Sequence, residues 1–326
     1  MIRMVVTDHI FADLEHERAA ARTLGAALET FNVATEAETI EALRGANIAL
    51  VNFAPVTDAV LEVMAPGAVI VRYGIGYDNV DLEAADARGI AVCNVPDYGG
   101  DTVADHAVTL ALMLMRKIIH FDRVLATGEW ISPPVLAPIL ASSQTTVGLL
   151  GTGRIGLAVA RRLQPFGFKV LAFDPFANQE HVGEYGIELV SLDELFAQSN
   201  LISLHAPATP ETHKIINAAN LDRMRPGSFI VNTARGALID QDAVLEALGS
   251  GQLAGVGLDV FDPEPLPRDH GLRTHPNAIL TPHAAFYSEQ SLQNLQRLAS
   301  EEAIRAGRGE NLRCLVNRPA LNAPSA

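Results

Sequence analysis

The stretch Thr146-Val-Gly-Leu-Leu-Gly151-Thr-Gly-Arg-Ile-Gly156 joins a short apolar run to three spaced glycines, and a helical pattern follows over residues 157–163. The order strand, glycine turn, helix distinguishes a dinucleotide-binding fingerprint from a chance repeat of glycine. The first glycine allows a tight turn, the second lets the backbone approach a pyrophosphate, and the third lets helix and strand pack closely. The amides of the helix N-terminus then face the phosphates. We therefore predict a cofactor site that includes Gly151, Gly153, Arg154, Ile155 and Gly156.

The type of dinucleotide depends on the next apolar run, residues 169–173, which ends at Asp174. An acidic side chain at this spacing holds the hydroxyls of an adenosine ribose. Pro175 and Phe176 follow instead of a basic residue. These features favour NAD over NADP, and we assign Asp174 and Pro175 to cofactor binding. The alternative is a structural glycine turn beside a surface aspartate, which leaves the joint presence of all four elements unexplained.

Two other glycine pairs follow apolar runs but lack the full spacing. The third glycine is replaced by Asn79 after Gly74-Ile-Gly76, and by Val260 after Gly255-Val-Gly257. The sequence therefore predicts the cofactor at Gly151–Gly156.

The composition excludes several classes of protein. The chain has 326 residues, 48% of them apolar and 19% charged, which indicates a globular protein rather than a disordered one. Its formal net charge of -14 disfavours nucleic acid as a partner, since phosphates would be repelled. The two cysteines form no CxxC motif, and no apolar run reaches the ~20 residues of a membrane helix. We expect a cytoplasmic protein with reduced cysteines.

Strand-like and helix-like patterns alternate along the whole chain, which is typical of βαβ units and a parallel sheet. The predicted strands of a first series span residues 3–7, 48–52, 69–72 and 90–93, with helices at 13–28, 57–64 and 82–88. A long helix is predicted at 101–127. The strands of a second series span residues 146–150, 169–173, 201–204, 228–232 and 255–258. We predict that the final helix, near 288–307, packs on the first series. The chain ends soon afterwards, and we expect no additional regulatory domain.

Three residues that could perform chemistry follow the fingerprint, each near the end of a predicted strand: Arg235, Glu264 and His283. In a parallel sheet, ligands bind beyond the carboxyl ends of the strands. An arginine can bind a carboxylate through two parallel hydrogen bonds, and an imidazole can exchange a proton near neutral pH. A carboxylate beside that imidazole would orient it and favour its charged form. These are the groups needed to interconvert a 2-hydroxy acid and a 2-oxo acid.

Each of these residues also has a structural interpretation. Arg235 could form a surface salt bridge, Glu264 lies between two prolines and could be a rigid loop residue, and His283 could be a satisfied loop histidine. Asp259 could orient a cofactor group or cap a turn. His270, His275 and His283 could be drawn as metal ligands, but they lack a cysteine or an i,i+4 pair. We therefore predict no metal.

The sequence resembles the D-isomer-specific 2-hydroxyacid dehydrogenases over nearly its whole length. The motifs that carry the resemblance are Gly151–Gly156 with Asp174, Asn232-Thr-Ala-Arg235-Gly236, Gly257-Leu-Asp259-Val with Pro263-Glu264-Pro265, and Pro282-His283. The resemblance implies that Arg235 binds the substrate, that His283 is the acid/base and that Glu264 is its partner. It also implies that a loop with Arg72, Tyr73, Gly74, Ile75 and Gly76 binds the substrate, its backbone amides receiving the carboxylate. The remaining candidate cofactor residues are His205, Ala206, Pro207, Thr212, Thr233, Ala234 and Asp259.

The family's topology implies two Rossmann-like α/β domains with parallel sheets. A discontinuous, flavodoxin-like substrate domain would comprise residues 1–99 and 285–326, with an NAD-binding domain at residues 100–284 inserted between them. A homodimer is implied, with the long helix from Asp101 and the arm at residues 130–140 reaching across.

Within the family, the chain looks most like the branch of C-terminal-binding-protein-like and phosphoglycerate-dehydrogenase-like enzymes. Arg72, Cys93-Asn-Val-Pro96, Ala104-Asp105-His106 and residues 285–289 carry this likeness. Phe286 departs from it, because the corepressors of that branch have a tryptophan there. Formate dehydrogenases pair the histidine with a glutamine, and Glu264 argues against that reaction. We predict hydride transfer between NAD(H) and a small D-2-hydroxy or 2-oxo acid. The alternatives are a 3-phosphoglycerate dehydrogenase and an NAD-sensing, corepressor-like binding protein with weak activity.

Overall fold

The computed structural model describes residues 1–319, and the chain packs as two compact units. The first unit comprises Met1–Gly99 and the described residues from Ser288 onward, and the second comprises Gly100–Tyr287. The chain returns to the first unit after Tyr287, three residues beyond the 284/285 boundary expected from the sequence. Residues 320–326 of the predicted substrate domain lie outside the described part of the chain.

The first unit contains a five-stranded sheet in which all neighbouring strands are parallel. Before the chain leaves this unit after Gly99, it forms β1 (Arg3–Val6), α1 (Glu15–Leu24), β2 (Ala27–Thr30), α2 (Glu36–Leu43), β3 (Ile48–Val51), α3 (Asp58–Glu62), β4 (Val69–Arg72), α4 (Leu82–Ala87) and β5 (Ala91–Cys93). The strand order β2-β1-β3-β4-β5 is that of flavodoxin-like sheets, with a topological switch between β1 and β3. The loops after β1, β3 and β4 therefore meet at one edge, where ligands bind in such sheets.

The second unit contains a seven-stranded sheet, again with every neighbouring pair parallel. Its elements are α5 (Gly100–Met115), α6 (Ile118–Ala126), β6 (Thr146–Leu150), α7 (Arg154–Leu163), β7 (Lys169–Phe173), α8 (Gln179–Gly183), β8 (Ile187–Leu189), α9 (Leu192–Gln198), β9 (Leu201–Leu204), α10 (Ala218–Leu221), β10 (Ser228–Asn232), α11 (Gln241–Ser250), β11 (Leu253–Leu258) and β12 (Ala278–Leu280). The strand order is β12-β11-β10-β9-β6-β7-β8, so the switch point lies between β6 and β9. This doubly wound order is that of dinucleotide-binding sheets.

Both faces of the seven-stranded sheet are covered by apolar side chains. The neighbouring residues Leu149 and Leu150 belong to different core clusters, as do Val170 and Leu171. Because side chains alternate between the two faces of a strand, a sheet covered on both faces needs continuously apolar strands. The prediction of an α/β fold with two parallel sheets is thus confirmed.

The chain returns to the first unit in α12 (Glu289–Arg308), which packs on α1. The side chain of Ser288 accepts a hydrogen bond from the amide of Ser291, and the Ser291 side chain accepts one from the amide of Ser288. This reciprocal cap fixes where the helix begins. Within residues 1–319, no helix is both long and apolar enough to cross a membrane.

Some element boundaries differ from the sequence prediction. The predicted helix 13–28 ends at Leu24, because Gly25 adopts a left-handed conformation (φ 60°), and residues 27–30 form β2. The predicted helix 101–127 is divided into α5 and α6 at Lys117, which also has a positive φ of 52°. The short strand β8 was not predicted, and the strand end expected before His283 is that of β12.

Candidate active site and cofactor site

The glycine turn after β6 has the geometry that its sequence predicts. Gly151 has φ 99°, and a Cβ there would lie 2.7 Å from the carbonyl oxygen of His205. A Cβ on Gly156 would collide with the carbonyl oxygen of Gly151, so helix α7 approaches the strand only because this residue is glycine. Gly153 is exposed, and a Cβ there would meet nothing within 4 Å. The turn is therefore closed towards the protein and open where a ligand would approach.

Asp174, at the end of β7, fixes this turn through its carboxylate. Its Oδ2 accepts hydrogen bonds from the amide and the hydroxyl of Thr152, both at 2.8 Å, and its Oδ1 accepts one from the amide of Phe176 at 2.9 Å. Partial burial opposes ionisation, but these hydrogen bonds outweigh it and lower the pKa of Asp174. The group is ionised at neutral pH and fits recognition of a ribose diol. Pro175 beside it is exposed.

The loop after β9 lies against the glycine turn. His205 donates its amide to the carbonyl of Leu150, and its Nε2 lies 2.9 Å from the hydroxyl of Ser203. Burial lowers the pKa of His205 to about 4, so its imidazole is neutral at physiological pH. Thr212 donates its hydroxyl to the carbonyl of Pro207 at 2.7 Å and accepts the amide of Thr209 at 2.8 Å, which closes the loop.

Other predicted cofactor residues occupy the ends of strands or the first turn of α7. Arg154 and Ile155 begin α7, and Ala206 follows His205 in the β9 loop. Thr233, after β10, has a buried hydroxyl oxygen with no hydrogen-bond partner within residues 1–319. This orphaned oxygen, the open side of Gly153 and the ionised Asp174 are features that a bound dinucleotide would satisfy.

Arg235 lies in a turn directly after β10, and the side chain of Asn232 at the end of this strand stabilises the turn. The side chain of Asn232 accepts the amide of Ala234 at 3.0 Å and donates to the carbonyl of Arg235 at 2.8 Å. A Cβ on Gly236 would collide with the backbone of Phe261, so the Arg235 segment can lie against the loop after β11 only with glycine at 236. The Arg235 side chain is partly exposed and donates from Nη1 to the carbonyl of Ala234 at 2.6 Å.

His283 and Glu264 form a hydrogen-bonded pair, with 2.8 Å between Nδ1 of the imidazole and Oε2 of the carboxylate. The other carboxylate oxygen accepts the amide of Phe261, also at 2.8 Å. Burial raises the pKa of Glu264, but His283, the Phe261 amide and the charge of Arg235 outweigh that effect, so its pKa is lowered. A negative charge therefore faces Nδ1, while Nε2 is the ring nitrogen directed away from Glu264.

The backbone around His283 is tied to the end of β11. His283 has φ 52°, and its amide donates to the carbonyl of Asp259 at 2.7 Å. The Asp259 carboxylate accepts the hydroxyl of Thr281 at 2.5 Å and the amides of Ala284 at 2.8 Å and Ala285 at 2.9 Å. A left-handed non-glycine residue persists where its surroundings enforce it, and here these bonds do so. The ring of Phe286 stands edge-on to His283 at 6.2 Å between centroids.

The predicted substrate loop lies in the first unit, directly after β4. Gly74 has φ 132°, and a Cβ there would collide with the guanidinium of Arg72. The amides of Gly74, Ile75 and Gly76 donate to no other group of the described residues 1–319. The guanidinium carbon of Arg72 lies 5.7 Å from the ring centre of Phe53, and its Nη1 donates to the carbonyl of Tyr73. Consecutive backbone amides without an acceptor among residues 1–319 are suited to binding an anion.

Comparison with known proteins identifies the family. Residues 108–285 match the model of the NAD-binding domain of D-isomer-specific 2-hydroxyacid dehydrogenases. The chain belongs to this family. The dehydrogenase is therefore an NAD-dependent oxidoreductase that acts on CH–OH groups.

Relatives and solved structures agree with this identification. The dehydrogenase is 37% identical to a glyoxylate reductase of Korarchaeum cryptofilum over 82% of this chain and 81% of that protein. It is 36% identical to a D-3-phosphoglycerate dehydrogenase of Archaeoglobus fulgidus, but the match covers 78% of this chain and only 48% of that protein. The solved D-lactate dehydrogenase of Aquifex aeolicus, complexed with NAD and lactic acid, matches with a TM-score of 0.85 at 28% identity, over 97% of this chain and 100% of that one.

Two predicted roles need correction in this dehydrogenase. Tyr73 was placed among the residues that contact substrate, yet its ring is 1% exposed and its amide already donates to the carbonyl of Val51 at 2.7 Å. It has neither a side chain nor an amide to offer a ligand. Asp259 was placed among the cofactor residues, but its carboxylate is completely buried and engaged by the His283 loop, so the structure gives it a positioning role.

Sequence reasoning also missed residues that support the site. Asn232 and Gly236 position Arg235, and His106 on α5 places its Nε2 3.0 Å from the Thr281 hydroxyl. The sequence offered signals for two of these residues, since Asn232 is a polar residue at a strand end and Gly236 is a glycine directly after a candidate residue. It offered no signal for the contact of His106 with Thr281. Of the histidines weighed as metal ligands, His270 and His275 each accept a backbone amide through Nδ1 and stabilise turns.

Proposed function

We propose that this dehydrogenase interconverts a small D-2-hydroxy acid and its 2-oxo acid, with Arg235, Glu264 and His283 as the catalytic residues. The observation that supports this most directly is the 2.8 Å contact between His283 Nδ1 and the ionised Glu264. Binding NAD alone requires no acid/base pair, so this contact favours an enzyme over an NAD-sensing binding protein.

In the reductive direction His283 begins as an imidazolium and donates its Nε2 proton to the oxygen at C2 of the 2-oxo acid. Glu264 stabilises the imidazolium before the transfer and holds the ring in one orientation through Nδ1. Arg235 binds the substrate through its carboxylate and C2 oxygen, which keeps the carbonyl in place and stabilises negative charge as it develops. Bound NADH supplies the hydride. In the oxidative direction neutral His283 accepts the hydroxyl proton.

We assign substrate-carboxylate binding in the first unit to the amides of Gly74, Ile75 and Gly76. Their lack of intrachain acceptors within residues 1–319 supports this role. Arg72, beside the same loop, adds positive charge. The cofactor contacts are assigned to the glycine turn, Asp174, the β9 loop and Thr233, all in the second unit. We accordingly assign NAD binding to the second unit.

A second candidate substrate is a phosphorylated 2-oxo acid. Arg72 favours it, since a guanidinium next to the carboxylate-binding loop could also meet a phosphate. The similarity to a D-3-phosphoglycerate dehydrogenase adds support, although the chain spans about half of that relative.

The test is NADH oxidation by the purified enzyme with glyoxylate, pyruvate and 3-phosphohydroxypyruvate. Reduction of glyoxylate or pyruvate that is lost in His283→Ala supports the main proposal. A preference for 3-phosphohydroxypyruvate that disappears in Arg72→Ala supports the second candidate. NADH binding without reduction of any of the three would favour a binding protein and contradict both.

We also propose that the enzyme is a homodimer that works in the cytoplasm. The support for dimerisation is α6, none of whose residues is buried within the chain, and the arm that follows it. Ile118, Leu125, Trp130 and Val135 are exposed at 49%, 52%, 90% and 70%. Exposed apolar surface of this extent is typical of a protein interface. Light scattering after size-exclusion chromatography tests the dimer, and Trp130→Glu should shift it towards monomer. The location is a prediction from the sequence.

A further inference from the structure

The substrate loop of the first unit is anchored in the interior by Tyr73. This residue lies between Arg72 and Gly74, and its ring packs edge-on against Phe11 with 5.0 Å between centroids. Its amide is held by the carbonyl of Val51. The loop cannot move without taking the buried ring out of its site, so whatever holds the ring also sets the position of the neighbouring amides.

The hydroxyl of Tyr73 donates to Oε1 of Glu17 at 2.8 Å. Glu17 lies on α1 and is fully buried. Its other oxygen accepts from Nε2 of Gln296 on α12 at 3.2 Å, and the same Nε2 donates to the carbonyl of Asp13 at 2.8 Å. One buried carboxylate thus connects two helices of the first unit with the residue that anchors the substrate loop.

This arrangement is costly for folding. Burial raises the pKa of Glu17, although the hydrogen bonds from Tyr73 and Gln296 partly oppose the rise. A carboxyl whose pKa is higher in the folded than in the unfolded state lowers stability at any pH where the unfolded group is charged. A carboxylate offers two acceptor oxygens, one for the Tyr73 hydroxyl and one for Gln296 Nε2, whereas a neutral amide side chain has only one. A further advantage of the carboxylate is that a hydrogen bond to a charged acceptor is stronger than one to a neutral acceptor.

We propose that Glu17 is a positioning residue for substrate binding, which acts through Tyr73 to hold the amides of Gly74, Ile75 and Gly76 ready for the substrate carboxylate. The inference rests on the proposed function, because it requires this loop to bind that carboxylate. Amides that are already in place avoid the ordering cost of binding, so loosening them weakens affinity for the acid.

The test compares Tyr73→Phe, Glu17→Gln and the double variant with the wild type. The measured quantities are kcat and KM for the best 2-oxo acid of the panel, and the dissociation constant of oxamate, an unreactive carboxylate analogue, in the presence of NADH. Tyr73→Phe should raise KM and the oxamate constant about three- to tenfold, the effect of one lost hydrogen bond. The KM for NADH and kcat should stay close to wild type.

Glu17→Gln should have a smaller effect on KM and on the oxamate constant, since its amide oxygen can still accept the tyrosine hydroxyl. Its melting temperature is not diagnostic, because the amide cannot also accept Gln296 Nε2. The double variant should match Tyr73→Phe, because Glu17 acts only through that hydroxyl. Thr39→Val is the matched control: Thr39 is fully buried in the same unit and donates its hydroxyl to the carbonyl of Thr35 at 2.8 Å. It should lower the melting temperature and leave KM unchanged.

Two results separate this inference from the proposed function. If the wild type reduces a 2-oxo acid and depends on His283, but Tyr73→Phe binds oxamate as tightly as wild type, the positioning role is wrong and the proposed function stands. If the wild type neither reduces a 2-oxo acid nor binds oxamate, both are wrong. An increase in KM in Thr39→Val equal to that in Tyr73→Phe would also overturn the positioning role, since any loss of stability would then be sufficient.

Discussion

Replacing Glu264 by glutamine should move the pH dependence of catalysis by about one unit. The change removes the charge that faces His283 Nδ1 and leaves a side chain of the same shape. Two unit charges ~4 Å apart attract by ~4 kcal/mol at an effective dielectric constant of ~20. The side chains of His283 and Glu264 are 29% and 34% exposed, so solvent screens part of this attraction. Hydrogen bonds to charged groups contribute about 1.5–3 kcal/mol. We take the lower end of this range, about 1.5 kcal/mol, which corresponds to roughly one pH unit.

The sign follows from the direction of the reaction. Reduction requires a proton on the His283–Glu264 pair, and the variant lacks the carboxylate that helps the pair to retain it. The alkaline limb of kcat for 2-oxo acid reduction should therefore move down by about one unit. Oxidation requires neutral His283, so its acid limb should move down by the same amount, and the variant should oxidise the hydroxy acid relatively better at acidic pH.

The assay is kcat as a function of pH in both directions, followed through NADH absorbance. Glutamine has one oxygen for two donors, the imidazole and the Phe261 amide, so some loss of kcat at the optimum is expected and is not diagnostic. Glu246→Gln is the control, since it removes one exposed carboxylate from α11 of the same unit. Limbs that stay in place in Glu264→Gln, or that move equally in Glu246→Gln, would refute the pairing.

Four further substitutions test the other roles. His283→Ala should lower kcat by roughly 10²–10⁴, the range for one general acid/base, with little change in NADH affinity by fluorescence titration; a loss below tenfold would contradict the assignment. Asp174→Ala should weaken NAD preference in a comparison of kcat/KM for NAD and NADP, and a wild type that prefers NADP would exclude the proposed ribose contact. Arg235→Lys should raise KM for the 2-oxo acid and lower kcat, because lysine cannot form two parallel hydrogen bonds. Wild-type kinetics in Arg235→Lys would mean that Arg235 has only a structural role. Arg72→Ala should chiefly raise KM, by an amount that depends on the 2-oxo acid.

The fingerprint, the strands of both series and the candidate trio could be predicted from the sequence because each has a local signal. The glycine spacing specifies a turn, and continuous apolar runs specify strands buried on both faces. The pairing of Glu264 with His283, residues 19 positions apart, was expected from the two residue types and from the family resemblance. Spacing places both after strands and says nothing of their distance.

Other features depend on tertiary packing and left little trace in the sequence. The end of α1 was recognisable at Gly25, but a lysine in the left-handed conformation at 117 has no propensity signal. The exclusion of Tyr73 from substrate contact results from a buried partner on α1, 56 residues away. From the sequence, a tyrosine in a predicted binding loop is expected to contact the ligand, and only the structure shows that its hydroxyl lies in the core.

The hydrogen bonds between Asp259 and the His283 loop limit local opening of that loop. Loops generally open locally at little cost, and their amides exchange with deuterium quickly. The amides of Ala284 and Ala285 cannot open without depriving a fully buried carboxylate of two hydrogen-bond donors. They should therefore exchange as slowly as strand amides of the seven-stranded sheet. The imidazole that we propose as the acid/base is then part of a segment that is irregular in its dihedral angles and as rigid as the sheet. Little reorganisation of the protein would be needed each time a proton is transferred.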